Sequence, residues 1–160
     1  MESGLQSPEA MVRTLRIIVF AMIVGVLALT AAAGAFAPLG APDEAIKSIF
    51  VLVVATMGVS FGLGYALVRK QILARACRQA SERPARDDTH ALAMRTYQTL
   101  GILGAAAAEG VGSLGAVAVL VTGYWPLAVV PLAAVVLLAM QVPSRDGFAV
   151  FAERLTAPSR

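Results

Sequence analysis

The composition of this 160-residue chain excludes an ordinary water-soluble domain, because 58% of its residues are hydrophobic and only 14% are charged. Globular chains are nearer to about 45–50% apolar and about 25% charged, and the mean hydropathy here is +0.76. The net charge of +3 does not indicate nucleic acid, because the basic residues flank apolar runs without interleaved aromatic residues, as membrane topology requires.

The first predicted element is an apolar span of about residues 15–36, which follows a short polar tail. At about 1.5 Å per residue it can cross a hydrocarbon core of about 30 Å. A cleavable signal peptide is the alternative, because the residues from Ala35 to Ala37 resemble a small-x-small cleavage site. We favour a membrane span, because the apolar stretch exceeds a usual signal core and Pro38 would hinder cleavage.

The second predicted span covers about residues 46–68 and follows a short acidic connection. It contains a GxxxG arrangement, and the third span also carries small residues at every fourth position. Small residues let membrane helices approach closely, so we predict that both faces pack helices together. The predicted packing residues are Gly58, Gly62, Gly104, Ala108 and Gly112.

A polar segment, residues 69–98, separates the second span from the third. Of the 13 Lys and Arg residues, all but Lys47 fall in this segment or near the two ends of the chain. The positive-inside rule therefore predicts a cell-membrane protein with both termini in the cytoplasm. The segment is predicted to be helical except near residues 81–84, restarting after a cap at Asp87 or Asp88. The residues predicted to enforce topology or also to contact lipid headgroups are Arg69, Lys70, Arg75 and Arg78.

The third predicted span covers about residues 100–122, and a tight turn leads to the fourth, about residues 125–142. Pro131 is expected to kink the fourth span or to lie in its first turns. Residues 144–156 place Phe148 and other apolar side chains at helical spacing, which predicts a short amphipathic helix on the cytoplasmic face of the membrane.

These elements predict an all-α fold, namely a single integral membrane domain built as a four-helix bundle with a C-terminal amphipathic surface helix. An internal echo suggests a tandem two-helix repeat. Moving the first span onto the third places Thr14, Leu15 and Gly25 on Thr99, Leu100 and Gly110. The second and fourth spans do not align at the same offset, so a chance match of similar compositions is also open.

The strongest functional signal is Glu109, a carboxylate near the middle of the third span. An ionisable group at that depth is costly and often marks an ion or proton site. Two hypotheses are therefore open for Glu109. It is either a reversible carboxylate for a proton or cation, or a structural acid that hydrogen-bonds Ser60, Thr56 or a backbone carbonyl of a neighbouring helix.

Other reactive residues carry weaker signals. Cys77 lies between Arg75 and Arg78, which could activate its thiol, but an inert juxtamembrane cysteine is the simpler interpretation. His90 near two aspartates does not supply a convincing metal-ligand set. The sequence contains no evident nucleophile with its base and no phosphate-cradling loop, so we expect neither an enzyme nor a cofactor.

Residues 46–122 resemble the hairpin of the rotary ATP synthase proteolipid, the c subunit. The resemblance lies in the glycine-rich second span, in Arg78-Gln79 of the polar connection, and in Glu109 within Ala-Ala-Ala-Glu-Gly. It implies that Glu109 is the proton or sodium carrier. The polar connection is far longer than that family's loop, and the duplicated members carry their acid on the fourth span.

The sequence thus favours a non-enzymatic multi-pass membrane protein that associates through its Gly/Ala helix faces. The alternative is a proteolipid-like subunit that handles protons or cations through Glu109. The expected partners are the lipid bilayer and either further copies of the chain or other membrane subunits, with no nucleic acid.

Overall fold

The computed structural model describes residues 7–37, 43–82 and 86–156, without the side chains of residues 81, 86–88 and 156. Within these ranges the chain forms helices and no strand, which confirms the all-α prediction. Pro38, residues 83 and 84 of the predicted break, and the side chains of Asp87 and Asp88 lie outside the described residues. The predicted helix start after a cap at Asp87 or Asp88 is wrong, because the backbone is already helical from Arg86. The elements are α1 (Pro8–Phe36), α2 (Glu44–Glu82), α3 (Arg86–Thr122), a 3-10 helix (Trp125–Ala128), α4 (Val129–Met140) and α5 (Arg145–Thr156).

Within the described ranges, three helices are long and apolar enough to cross a membrane, namely α1, α2 and α3. The 3-10 helix and α4 together form a shorter apolar element of about 26 Å. They count as a fourth candidate span only when joined to α5, from which they are bent by 71°. Pro131 lies in the first turn of α4 and is buried, so it marks the start of this helix rather than a kink within it.

Local capping interactions explain where several helices begin and end. Ser7 caps α1 by accepting a hydrogen bond from the Ala10 amide at 3.3 Å, and Asp43 accepts one from the Ala45 amide at the start of α2 at 2.8 Å. At the end of α3, Gly123 adopts a φ of 66° and donates its amide to Val119 O at 2.8 Å. Glycine tolerates this left-handed conformation, so the chain turns at once toward α4.

The helix α3 is the centre of the fold, because α1, α2 and α4 all pack on it. Its buried alanines form successive apolar clusters with α1 and α4, including Ala105 with Val26 and Leu138. In contrast, α2 and α4 scarcely contact each other. An open groove therefore runs between them above α3.

The C-terminal helix α5 packs on the protein itself. Phe148 is buried in a cluster with Met11 and Leu15 of α1 and Ala93 of α3, and the Phe148 ring meets the Tyr97 ring edge-on at 5.5 Å. The apolar side chains that we expected to face the bilayer are thus largely covered by α1 and α3. The physical reason is that α1 and α3 offer apolar partners at the same end of the bundle.

Candidate functional site

Glu109 lies midway along the apolar part of α3, at the border of its packed surface. The Ala105 and Ala108 side chains are buried, whereas Glu109 is partly exposed and Ala106 is exposed. The side of α3 that faces the groove and α2 carries Ala107 and Val111. Each is two residues from Glu109, a rotation of about 200° around the helix axis. Glu109 therefore points away from α2.

The carboxylate of Glu109 makes no hydrogen bond or ion pair within the described residues. The two hydroxyl partners that the sequence suggested, Ser60 and Thr56, are exposed on α2, on the far side of α3 from Glu109. Because Glu109 is partly exposed, its carboxylate is accessible to molecules that surround the helices.

The five predicted packing residues fall into two groups. A Cβ atom at Gly112 would lie 2.6 Å from Ala134 Cβ of α4, so this glycine permits a close helix crossing. Gly104 is covered by the ends of two flexible side chains, because a Cβ atom there would lie 2.9 Å from Tyr65 Oη and 2.5 Å from Gln141 Oε1. Ala108 is buried between the helices. Gly62, in contrast, has nothing within 4 Å of its Cβ position, and Gly58 has only Val111, at 3.9 Å.

Most basic residues lie toward one end of the helices. This end is tied together by a hydrogen bond from Arg16 Nε of α1 to Pro143 O, at 2.8 Å, just before α5. An exposed ion pair of 3.0 Å joins Arg145 to Glu9. At the other end, Lys47 pairs with Glu44 at 3.2 Å and lies 4.6 Å above the Tyr124 ring.

A cleft runs along α2, α3 and α4 and consists of two adjoining parts. The first part, here called the basic cavity, has a volume of about 640 Å³ and is lined by Arg69, Arg154, Tyr97 and other residues of α2 to α5. The second part, here called the apolar groove, also measures about 640 Å³ and lies between α2 and α4. Tyr65 and Gln141 line both parts and so mark their junction.

Of the four predicted headgroup residues, only Arg69 lines this cleft. Lys70, Arg75 and Arg78 are exposed on α2 outside it. Tyr65, Gln141 and Arg154 were not among the site residues predicted from the sequence. Tyr65 and Gln141 had a detectable signal, because each is a polar side chain close to the end of an apolar span.

The two remaining candidate residues are also placed by the structure. Cys77 is exposed and lines the basic cavity. His90 meets the Phe148 ring edge-on at 5.6 Å, which is a packing contact. Within the described residues, no group of three His, Cys, Asp or Glu side chains is arranged to hold a metal ion.

Comparisons of the chain with protein families, curated proteins and solved structures found no match. A proposed function therefore rests on the structure alone, namely on the exposed apolar surface of the helices, the position of Glu109 and the shape of the cleft.

Proposed function

We propose that this chain is a non-enzymatic multi-pass membrane protein that crosses the bilayer with α1, α2, α3 and α4 and associates laterally with other membrane components. The observation that carries this proposal is the exposure of apolar side chains along α2. Only 6% of the most apolar stretch of α2 is buried inside the protein, against 39% of the corresponding stretch of α3. In water such a surface would be very costly, whereas in hydrocarbon it is fully compatible with a stable fold.

The proposed orientation places both termini of the chain, the C-terminal end of α2 and the N-terminal end of α3 in the cytoplasm. Support comes from the clustering of Arg16, Arg69 and Arg154 toward one end of the helices, with Lys47 at the other. Trp125, which is 55% exposed, then falls at the opposite membrane interface, where tryptophan is enriched.

The sole cysteine allows this proposal to be tested without a background substitution. Cys77 should react with a membrane-impermeant maleimide only when the cytoplasmic face is accessible, as in inside-out vesicles. A matched variant, Cys77→Ser with Ser48→Cys, should react only from the opposite face. Extraction of the chain by alkaline carbonate, or labelling of both positions from the same side, would overturn the proposal.

The proposed lateral association uses the Gly/Ala surface that the fold leaves open. Gly104, Ala108 and Gly112 are largely occupied by contacts within the chain, whereas Gly58 and Gly62 line the apolar groove beside α4. Small residues there permit close approach of a lipid acyl chain or of another transmembrane helix from the bilayer.

Reversible protonation or cation binding by Glu109 is a second candidate function. One observation favours it over a purely structural acid, because the carboxylate has no hydrogen-bond partner within the described residues while standing in an apolar stretch of α3. The resemblance to the rotary proteolipid hairpin implies the same role for Glu109.

Reaction with a hydrophobic carbodiimide distinguishes the two candidates. If Glu109 carries ions, the carbodiimide should modify it in native membranes, and sodium or high pH should suppress the reaction. Mass spectrometry locates the adduct, and Glu109→Gln is the control that must remain unmodified. Absence of an adduct at every pH in folded protein would contradict ion handling by Glu109 and leave the membrane proposal intact.

A further inference from the structure

The cleft along α2, α3 and α4 combines two chemically different parts that adjoin at Tyr65 and Gln141. The basic cavity carries the guanidinium groups of Arg69 and Arg154, and no carboxylate belongs to its described lining. The apolar groove is lined mainly by small and aliphatic side chains, among them Val130 and Leu137. Each part falls within the range of about 300–1,000 Å³ that is typical of ligand sites.

The length of the apolar groove matches one leaflet of a bilayer. Along α2 its lining runs from Val54 to Tyr65, which at about 1.5 Å per residue corresponds to about 16 Å. Half of a hydrocarbon core of about 30 Å is about 15 Å. A single acyl chain therefore fits the groove lengthwise, and its polar end would emerge near Tyr65.

The charges at that polar end are available to a ligand. Arg69 begins the polar segment one helical turn beyond Tyr65, and Arg154 reaches the same cavity from α5. Neither arginine has an acidic partner within salt-bridge distance in the described residues. At the junction, Tyr65 Oη and Gln141 Oε1 crowd over the bare backbone of Gly104. Hydroxyl and amide groups at this depth suit the glycerol and ester region of a lipid.

We propose that the cleft binds one anionic phospholipid, with the phosphate on Arg69 and Arg154 and one acyl chain in the apolar groove. The lipid is one of the membrane components with which the chain is proposed to associate laterally, and this inference rests on the proposed membrane insertion. It distinguishes two arginines of the cleft from the basic residues that serve topology, since Lys70 and Arg145 are outside the lining.

Native mass spectrometry of the purified full-length chain in mild detergent tests the charged part of the site. Titration with phosphatidylglycerol should show saturable binding of one lipid per chain, and phosphatidylcholine with the same acyl chains should bind at least tenfold more weakly. Arg69→Gln with Arg154→Gln should weaken phosphatidylglycerol binding about 25-fold, because each charge near an anionic headgroup contributes about fivefold. The matched control, Lys70→Gln with Arg145→Gln, changes the net charge equally and should bind as the unaltered chain does.

A second pair of variants tests the apolar groove. Gly62→Leu adds a side chain to the groove where nothing lies within 4 Å of the Cβ position, so it should weaken lipid binding at least tenfold without a steric clash. Gly25→Leu on α1 is the control, because its Cβ position is equally open and it is not in the groove lining. Monodisperse elution and an unchanged helical circular dichroism spectrum establish that each variant is folded.

The reactivity of Cys77 separates a lipid from a free anion, since this thiol lines the basic cavity. Phosphatidylglycerol should slow its alkylation, whereas inorganic phosphate or glycerol phosphate at the same concentration should not. Equal protection by the free anions, equal binding of phosphatidylcholine, equal weakening by the control pair, or a dimer that excludes lipid would each overturn the proposal. A chain that inserts into membranes but shows no lipid selectivity would refute this inference alone, whereas a chain that fails to insert would refute the proposed function first.

Discussion

The glycines of α3 differ in the space that the fold leaves for a Cβ atom. Gly112 faces Ala134 and Val26 across a gap that a Cβ atom would overfill, with Val26 Cγ1 only 3.2 Å away. Gly110, two residues earlier in the same helix, has nothing within 4 Å of its Cβ position. Both residues are glycines of the same helix, and they differ only in the side chains that pack against them.

We expect Gly112→Ala to destabilise the protein by about 1–3 kcal/mol, because the added carbon meets backbone-attached atoms that cannot rotate away. Gly110→Ala should be neutral or stabilising by up to about 1 kcal/mol, since alanine is the better helix former. Unfolding of both variants in mixed detergent micelles, followed by circular dichroism, measures the difference. Equal stabilities would contradict the close α3–α4 crossing at Gly112.

At the scale of the element, α5 depends on the rest of the chain. Phe148 is 6% exposed and packs between α1 and α3, whereas Val150 on the same helix is 48% exposed. An α5 that lay on the membrane surface would not draw its stability from α1 and α3. The two side chains therefore distinguish a docked helix from a lipid-bound one.

Phe148→Ala should lower the free energy of unfolding by about 3–5 kcal/mol through loss of buried aromatic contacts, whereas Val150→Ala should cost less than about 0.5 kcal/mol. Thermal unfolding in a lipid-free detergent is the appropriate measurement, because it removes the bilayer as an alternative partner for α5. A negligible effect of Phe148→Ala would contradict docking on α1 and α3.

At the scale of the whole molecule, α3 holds the helices together while α2 and α4 remain apart. The helices α1, α2 and α4 each pack on α3, and α1 also packs on α4. The separation of α2 from α4 leaves the cleft open along its length, which is what makes lateral binding from the bilayer feasible.

The sole tryptophan reports on how the whole molecule lies in a bilayer. Trp125 is exposed at the end of the helices opposite Arg16, and its ring covers Gly34, where a Cβ atom would lie 3.2 Å from the ring. In liposomes, lipids brominated near the headgroup should quench its fluorescence more strongly than lipids brominated near the chain ends. Maximal quenching at the bilayer centre, or none at all, would contradict the proposed placement.

Much of the local structure could be predicted from sequence. The apolar runs beginning near Leu15 and Leu100 are continuous and helix-forming, so length and hydropathy alone indicate helices. The end of α3 was equally readable, because Gly123 is suited to the left-handed conformation that follows Thr122. These features depend on interactions between residues that are close in sequence, so they can be predicted without the tertiary structure.

The candidate sites were only partly predictable, because they depend on which helix faces meet. The sequence suggested Ser60 or Thr56 of α2 as a partner of Glu109, whereas the structure puts Glu109 at the border of the packed surface of α3, away from α2. Nothing in the sequence indicated that Arg154 would share a cavity with Arg69. Hydropathy and helix-breaking residues specify elements one at a time through local interactions, whereas the packing of α2 and α4 on α3 and the docking of α5 arise from contacts between distant residues. Helix positions therefore follow from the sequence alone, but only the tertiary structure creates the cleft.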